Sequence, residues 1–524
     1  MQQIVIVFFC LISFDSAFAQ QWINTYAPNY FAKWTIESYD KGYVILGQRQ
    51  DNQRFSQIIK TDINGNVLWS KKLGNMQYAM FANNVEITSD NGLVIGGSIT
   101  KYDDQYDSYV LKLNACGELL WCSVIHTPTL YDIGWQVRPT PDNGYILLGE
   151  LNDPDPDLRT NLFKFDSLGN LLWHQAYLPD SAAFGDDGRN LIIDNTGYLI
   201  TAFCYYPEPG QTIGWERYYQ IKTDNMGVKL WSNIYGKSEH YFGQPITSIQ
   251  SSSGNYYSFG WHNVVNSSNS VPAMVKVMNN GTDSYNQDII SNVGTGGIGS
   301  VCWIDDSTFF LAGGWAINMY KGTFVFFKSD TVGNVFQTVY MDTISGGSSY
   351  STKTFDGKLL TISTDVLNAV PFIKAYKVNS NLQYDSLYTH IYTYDSLCPH
   401  PIVSDTIDPD CGLIVDVAEP FSKPETHQLK IYPNPVSEKL TVIFPKYLVV
   451  PDNSGAVKSI TTYHQWKSTT LEVYDLKGDQ HMQRTIPKDL EQIELNVSSW
   501  PKGMYFFRQV YNKKTVAGEK VIVK

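Results

Sequence analysis

Charge is scarce in this chain. Asp, Glu, Lys and Arg make up 17% of its 524 residues, and 51 acids outnumber 39 bases for a net charge of −12. No run of Lys or Arg interrupts that balance. Nucleic acid is therefore excluded as a partner, because phosphate binding needs clustered cations. After residues 1–19 no segment approaches the apolar length that crosses a bilayer as a helix. Catalytic signatures are missing too: there is no G-x-S-x-G elbow, no H-E-x-x-H, no phosphate loop and no carboxylate pair singled out by spacing. No Cys/His spacing fits zinc. The sequence thus assigns no catalytic residue, no metal and no cofactor. Its nine His are scattered, with His126, His174, His240 and His262 in different units of the repeat described below.

Aromatic residues are plentiful at 14%, with 35 Tyr and 13 Trp, a profile that suits an exported β-rich protein. The first residues, Met1-Gln-Gln-Ile-Val-Ile-Val-Phe-Phe-Cys-Leu-Ile-Ser13 followed by Ala17-Phe-Ala19, read as a signal peptide cleaved after Ala19, although no Lys or Arg precedes the apolar run. Cleavage leaves six cysteines, an even number that allows disulfides in an oxidising compartment. Cys116 and Cys122 flank a hairpin segment and Cys398 and Cys411 bracket a Pro-rich stretch, so the expected pairings are local, Cys116 with Cys122 and Cys398 with Cys411.

The middle of the chain repeats. Asp40-Lys-Gly-Tyr-Val-Ile-Leu-Gly47 returns as Asp90 to Gly97, Asp142 to Gly149 and Asn195 to Ala202, and more weakly as Ser253 to Gly260, Ser307 to Gly313 and Asp356 to Ile362. Each copy is a turn followed by an apolar β run, and in most copies a small residue ends the run. About twenty residues further on comes K-x-[D/N]-x-x-G-x-x-x-W, clearest at Lys60 to Trp69, Lys112 to Trp121, Lys164 to Trp173 and Lys222 to Trp231, and degraded at Lys276, Lys328 and Lys377. Asp or Asn followed by Gly makes a tight hairpin, because these residues tolerate positive φ. The Trp then anchors the closing strand.

Seven units of about fifty residues, each with two turn-linked strand pairs, predict an all-β fold, a β-propeller of seven blades, with six or eight as alternatives. The D-x-x-G-x-x-x-W turn looks like the tryptophan-docking turn of quinoprotein-type propellers, one residue shorter before the Gly; the sialidase Asp-box spacing is not met. That resemblance implies architecture and no active site. Gln21-Trp-Ile-Asn-Thr-Tyr26 resembles the outer strand Leu230-Trp-Ser-Asn-Ile-Tyr235. It is therefore expected to complete the last blade and close the ring over residues 20–395, leaving no strand edge at the seam.

Residues 396–428, with five Pro and clustered Asp, read as an inter-domain linker. Strand patterning resumes over 429–524 and suits a small β-sandwich. This tail carries Lys430-Ile-Tyr432-Pro433-Asn434-Pro435, a block ending at Gly478, then Gly503-Met-Tyr505, and finally Lys520-Val-Ile-Val-Lys524, interrupted by an apparent insertion from Tyr447 to Gln465. It resembles the C-terminal sorting domain of proteins exported by the type IX secretion system of Bacteroidetes. The resemblance implies the type IX translocon as a partner and delivery to the outside medium or the outer-membrane surface. Asp385-Ser-Leu387, Asp395-Ser-Leu397 and Asp405-Thr-Ile407 also resemble a Bacteroidetes O-glycosylation site.

Two functions follow as expectations. The first is a non-catalytic binding or adhesion propeller whose partner is a surface glycan or protein. The alternative is a polysaccharide-acting hydrolase or lyase with its site at the central channel, which would show carboxylates converging at one mouth. Tyr205, Tyr206, Trp215 and Trp261 stand near predicted face loops, where aromatics stack on sugars or pack the blade edges. The acidic stretch Asn152 to Asp157 has alternate carboxylates but lacks the Gly and Glu of a calcium loop, and Asp62, Asp166 and Asp224 are explained by their turns.

Overall fold

The computed structural model describes residues 20–49, 55–75, 77–101, 105–126, 132–152, 158–177, 184–207, 214–235, 243–263, 270–282, 285–289, 295–318, 321–344, 349–414, 429–444, 447–451, 457–462, 468–475, 479–487, 490–511 and 514–524. The expected signal peptide, the acidic residues 153–157, His240 and Gly478 lie outside this set. Every named element is a strand. The chain divides into two compact units, Met1–Ala418 and Glu419–Lys524.

The first unit is a seven-bladed propeller. Blades 1 to 6 are four-stranded antiparallel sheets in chain order, with inner strands Tyr30–Glu37, Met80–Ile87, Ile133–Pro139, Phe184–Asp194, Gly243–Gln250 and Thr295–Asp305. Blade 7 has Ser349–Lys353, Leu359–Leu367 and Val370–Val378 from the C-terminal side, and its outer strand is Ile23–Pro28. The expected closure is therefore present. The closing strand also makes an outer strand's contacts with the next blade. Trp22 Nε1 donates to Ile63 O at 2.8 Å and Tyr26 OH to Gly65 O at 2.8 Å, as Tyr235 OH donates to Gly281 O at 2.9 Å.

The two repeated motifs meet in space. The Asp of the first turn receives the Lys of the second motif in Asp40–Lys60, Asp90–Lys112, Asp142–Lys164 and Asp356–Lys377, and Asp194 takes that place for Lys222. Both tight turns of a blade thus lie on one face. The Asp of the second turn is used up by its own hairpin: Asp62 Oδ1 accepts Asn64 N at 2.9 Å and Asn66 N at 2.8 Å.

Each motif Trp docks on the next blade. A Cβ built on Gly169 would lie 2.5 Å from Trp121, one on Gly227 2.7 Å from Trp173, and one on Gly281 2.6 Å from Trp231. Gly169 also sits at φ 83°, which a side chain resists. Gly169→Ala should therefore cost about 2 kcal/mol from strain plus collision. Gly357 (φ 72°) has nothing within 4 Å of its built Cβ. Gly357→Ala should cost about 1 kcal/mol, from conformation alone. Urea midpoints for the two variants test this; equal losses would mean that Trp docking adds nothing.

The cysteine pairing differs from the expectation. Cys116 bonds Cys398 and Cys122 bonds Cys411, across 282 and 289 residues, while Cys204 and Cys302 are buried free thiols. The local pairs were read from sequence proximity, but Cys116 lies in the hairpin turn itself while Cys122 lies on the strand beyond it, opposite Leu111. Each therefore reaches a different point of the segment beyond blade 7. That segment also departs from a linker. Through Ile414 it is a strap on the outer edges of two blades, with Asp405–Ile407 added in parallel to Val67–Leu73 of blade 1 and Gly412–Ile414 to Leu119–Ile125 of blade 2. Asp385 and Asp395, from the glycosylation-like triplets, are engaged in the same packing: Asp385 accepts Lys358 at 2.7 Å, and Asp395 accepts Trp69 Nε1 at 3.3 Å.

The second unit packs two sheets over one core. Lys430–Tyr432, Lys439–Ile443 and Gln492–Asn496 form one sheet, and Ser468–Asp475, Gln480–Pro487, Gly503–Tyr511 and Lys514–Val523 the other. Val442, Leu440, Leu471, Val473, Phe507 and Val521 fill the space between them. The insertion contributes a two-stranded ribbon, Tyr447–Pro451 with Val457–Thr462.

Candidate functional site: the mouth of the central channel

Six inner strands carry a β-bulge at equivalent register, with Lys33, Asn83, Trp135, Arg189, Ile246 and Gly299 as the extra residues. Opposite each bulge stands the small residue that ends the first motif: Gly47, Gly97, Gly149, Ala202, Gly260 or Gly313. The reason is a close approach. A Cβ on Gly97 would fall 1.9 Å from Phe81 O, and one on Gly260 1.9 Å from Gln244 O. A bulge re-aims a side chain, and these lie on the strands nearest the axis. They sit near the starts of the inner strands, on the face opposite the Asp–Gly turns, where connections between second and third strands vary in length.

Blades 3 and 4 build the densest cluster there. Trp135 Nε1 donates to Glu150 Oε1 at 2.6 Å, and Arg189 Nη2 to Asp187 Oδ2 at 2.5 Å. The Arg189 guanidinium lies 4.4 Å from the Trp135 ring centre and 5.1 Å from that of Phe203. Its Nε is buried without a partner among the described residues. Glu150 is 1% exposed and Asp187 6%. Burial, together with the hydrogen bond to Asp187 and the Asp187 charge, raises the Glu150 carboxyl well above the usual range, against Arg189 and Trp135. Burial also raises Asp187, against Glu150 and Arg189. Burial thus favours the neutral form at both carboxyls, more strongly at Glu150, with Arg189 opposing. Glu216 is raised by burial, and its Oε1 accepts Gln244 Nε2 at 2.9 Å. Burial raises Tyr205 too, followed by the charges of Glu216 and Asp187.

Other blades reach the same space. Burial first, then the charge of Arg189, pushes Lys33 of blade 1 down to about 8. Lys33 has no hydrogen-bond or ion-pair partner among the described residues. Burial raises Tyr350 of blade 7, against the charge of Arg189, and its ring lies 5.2 Å from that of Trp34 at a tilt of 43°. Trp34 in turn lies 5.8 Å from Arg138 of blade 3, which ion-pairs Glu86 at 2.7 Å. Contacts that skip a blade in this way run through the channel.

None of these residues stood out in the sequence except Tyr205; the small residue closing each first motif was the available signal for the bulge opposite it. The other candidates fall elsewhere. Trp261 lies beside Gly297 of blade 6 as edge packing, and the side chains of Tyr206 and Trp215 are outside the described set. His126 Nδ1 meets Asp107 at 3.0 Å. His174 stacks on Phe163, and burial pushes it down to about 4. His262 is buried against Tyr218. Among the described residues no group of His, Cys, Asp and Glu could hold a metal, and no helix is long and apolar enough to cross a membrane.

In the second unit the separated tail blocks come together. Asn434 Nδ2 donates to Lys520 O at 2.7 Å and its Oδ1 accepts Ile522 N at 2.9 Å, while Lys524 N donates to Val436 O at 2.8 Å. Tyr432 is exposed, as are Pro433 and Pro435. Buried Tyr505 ties its hydroxyl to Pro501 O at 2.7 Å, and Gly503 opens its strand.

Fold and tail define a class, an exported β-propeller. Residues 430–524 match Por_Secre_tail, the secretion system C-terminal sorting domain. The chain is accordingly a substrate of the type IX secretion machinery, delivered to the cell surface or released. No curated protein matches the sequence. Among solved structures it is similar to a PL25 polysaccharide lyase, an ulvan lyase bound to -[GlcA(1-4)Rha3S]-, at 11% identity over 68% of this chain and 96% of that one, with a TM-score of 0.44. It is similar to an α-L-arabinanase of Penicillium chrysogenum complexed with arabinobiose, at 10% identity over 67% and 98%, with a TM-score of 0.40. PorZ, a bacterial surface component of the type IX secretion system of Porphyromonas gingivalis, matches at 10% identity over 93% and 69%, with a TM-score of 0.30.

Proposed function

We propose that the protein is an exported binding propeller that takes a glycan at the mouth of its central channel. One observation carries this reading: aromatic, cationic and carboxyl groups from separate blades converge there, around Arg189, Trp135, Glu150 and Asp187. Indole and phenol faces fit the apolar side of a sugar ring, and a few placed polar groups fix its orientation. The remaining blades supply a rigid frame.

The Glu150 carboxyl, raised by burial and by Asp187 beside it, favours a second reading, a polysaccharide hydrolase or lyase, because a carboxyl with a raised pKa suits the role of general acid. Titrating the mature full-length chain against a glycan panel, with products followed in parallel, separates the two. Binding without turnover is expected, and Trp135→Ala should weaken it about tenfold. Product formation would establish the enzyme, and silence across the panel would overturn the glycan reading.

A further inference from the structure

In the second unit, one sheet turns an apolar strip away from the core. Along Ser468–Asp475, Gly503–Tyr511 and Lys514–Val523, the side chains of Leu471, Val473, Tyr505, Phe507, Val521 and Val523 fill the core. The residues between them face the other way, because side chains alternate along a strand. Register sets these outward residues side by side. Tyr474 is opposite Phe506, Phe506 is opposite Lys520, and Met504 is opposite Ile522. Ile522 is 42% exposed, and Lys520 and Lys524 are exposed on the same side of their strand. Lys520 Nζ lies 6.0 Å from the Phe506 ring centre. Arg508 lies 4.5 Å from the Tyr474 ring centre and ion-pairs Glu472 at 2.8 Å. The strip is thus bordered by ammonium groups along the terminal strand.

A protein partner can pair with the edge of a strand or lie on its face. Over residues 520–524 the edge is already taken. The Asn434 amide holds Lys520 O and Ile522 N, and Val436 N donates to Ile522 O at 2.8 Å as a parallel neighbour of Val523. Strand addition there would require that segment to leave, whereas contact with the face requires no rearrangement. Charge supports a face contact too. Residues 430–524 hold 14 Lys and Arg against 9 Asp and Glu, while the rest of the chain holds 25 against 42. The tail is therefore a basic unit in an acidic protein, and Lys520 and Lys524 put part of that charge beside the strip. The match to a secretion system C-terminal sorting domain supplies the class of partner, machinery that must hold this unit during export.

We propose that Met504, Phe506 and Ile522, flanked by Lys520 and Lys524, form the face by which the type IX machinery binds this domain. The partner that fits it is a protein surface with an apolar hollow bordered by carboxylates. Methionine and aromatic side chains suit the desolvated middle of such a contact, and cations at its border match and steer the acidic rim. Asn434 is a positioning residue that fixes the terminal strand, and Gly503 and Tyr505 belong to the construction of the sheet. The tail motif thus divides into residues that build the face and residues that are read on it.

The test uses the full-length chain in its exporting host and compares the amount outside the cell with the amount held in the periplasm. Ile522→Asp should lower export about tenfold, and Lys520→Glu combined with Lys524→Glu about threefold. Ile522→Leu should export normally. So should Glu494→Lys, an exposed reversal on the other sheet. The retained Ile522→Asp protein is purified and melted beside the wild type, and an unchanged transition assigns its loss to binding. If it melts lower, the double reversal decides, because both of its side chains lie in solvent; normal export of that variant then overturns the face. With folding intact, normal export of Ile522→Asp overturns the face outright, as does an equal loss from Glu494→Lys. Normal export of the double reversal alone removes the acidic border from the partner. Asn434→Ala should lower export and speed hydrogen exchange at the Ile522 amide together, and unchanged exchange would remove its positioning role.

Discussion

Cys398→Ser, which breaks one bond of the strap, should lower the stability of the oxidised propeller by about 3 kcal/mol, and removing both disulfides by about 5 kcal/mol more. The two steps differ because of what each bond encloses. Either bond alone closes a loop of 282 or 289 residues that runs from blade 2 round the ring to the strap. Once one exists, the other closes only about twenty further residues, and loop-closure entropy grows with the logarithm of length. The bonds also span the seam. Blade 7 is held to the chain's beginning by the pairing of Ile23–Pro28 with Val370–Val378, and that pairing is not covalent. The strap starts beyond blade 7, crosses blade 1 and is fastened to blade 2, so the ring cannot open at the seam without freeing it. Urea midpoints under oxidising and reducing conditions check this; coincident curves would remove the strap from ring closure.

Asp40→Ala should cost about 3 kcal/mol, whereas the same change at Asp142 should cost about 1 kcal/mol. The motif is shared but the surroundings are not. In blade 1 both Lys60 and Asp40 side chains are only 2% exposed, because Tyr394 and Asp395 of the strap lie over them and Asp395 N donates to Asp40 Oδ2 at 3.1 Å. Burial lowers the Lys60 ammonium, and Asp40 is the main opposing influence. Without Asp40 a charge remains buried with little to replace water. Asp142 is 59% exposed, so solvent can enter to reach Lys164 when that carboxylate is lost. Adding Lys60→Met to Asp40→Ala should restore most of the stability, since a buried apolar side chain carries no desolvation penalty. Failure of the double variant to recover would place the loss in the turn rather than the ion pair.

The contrast between Asp40 and Asp142 shows what a local pattern conveys. The turn and its Asp are legible because hairpin chemistry is decided within a few residues. The recurrence of Trp, Gly and the apolar runs at a fixed interval made the blades legible as well, since strands within a blade pair with sequence neighbours, while the closing strand, whose partner Val370–Val378 is distant, was legible from its likeness to the other outer strands. The tail blocks were readable for the same reason, order and spacing along the chain, and the match over residues 430–524 agrees with them. The pairing of each first-motif Asp with the second-motif Lys was hidden although both were visible, because period alone does not say which faces which.

By itself, then, the sequence determined the all-β repeat, its ring closure and its export address, all of which rest on short-range periodicity, turn conformation and contiguous motifs. Tertiary structure alone decided the rest. The disulfides join residues nearly three hundred positions apart, the strap takes the place of a linker because two outer strand edges accept it, and the channel cluster gathers Lys33, Trp135, Glu150, Asp187 and Arg189 from three blades. Their proximity comes from the curvature of the ring and from bulges that turn side chains toward the axis, and neither leaves a contiguous mark in the chain beyond the small residue opposite each bulge.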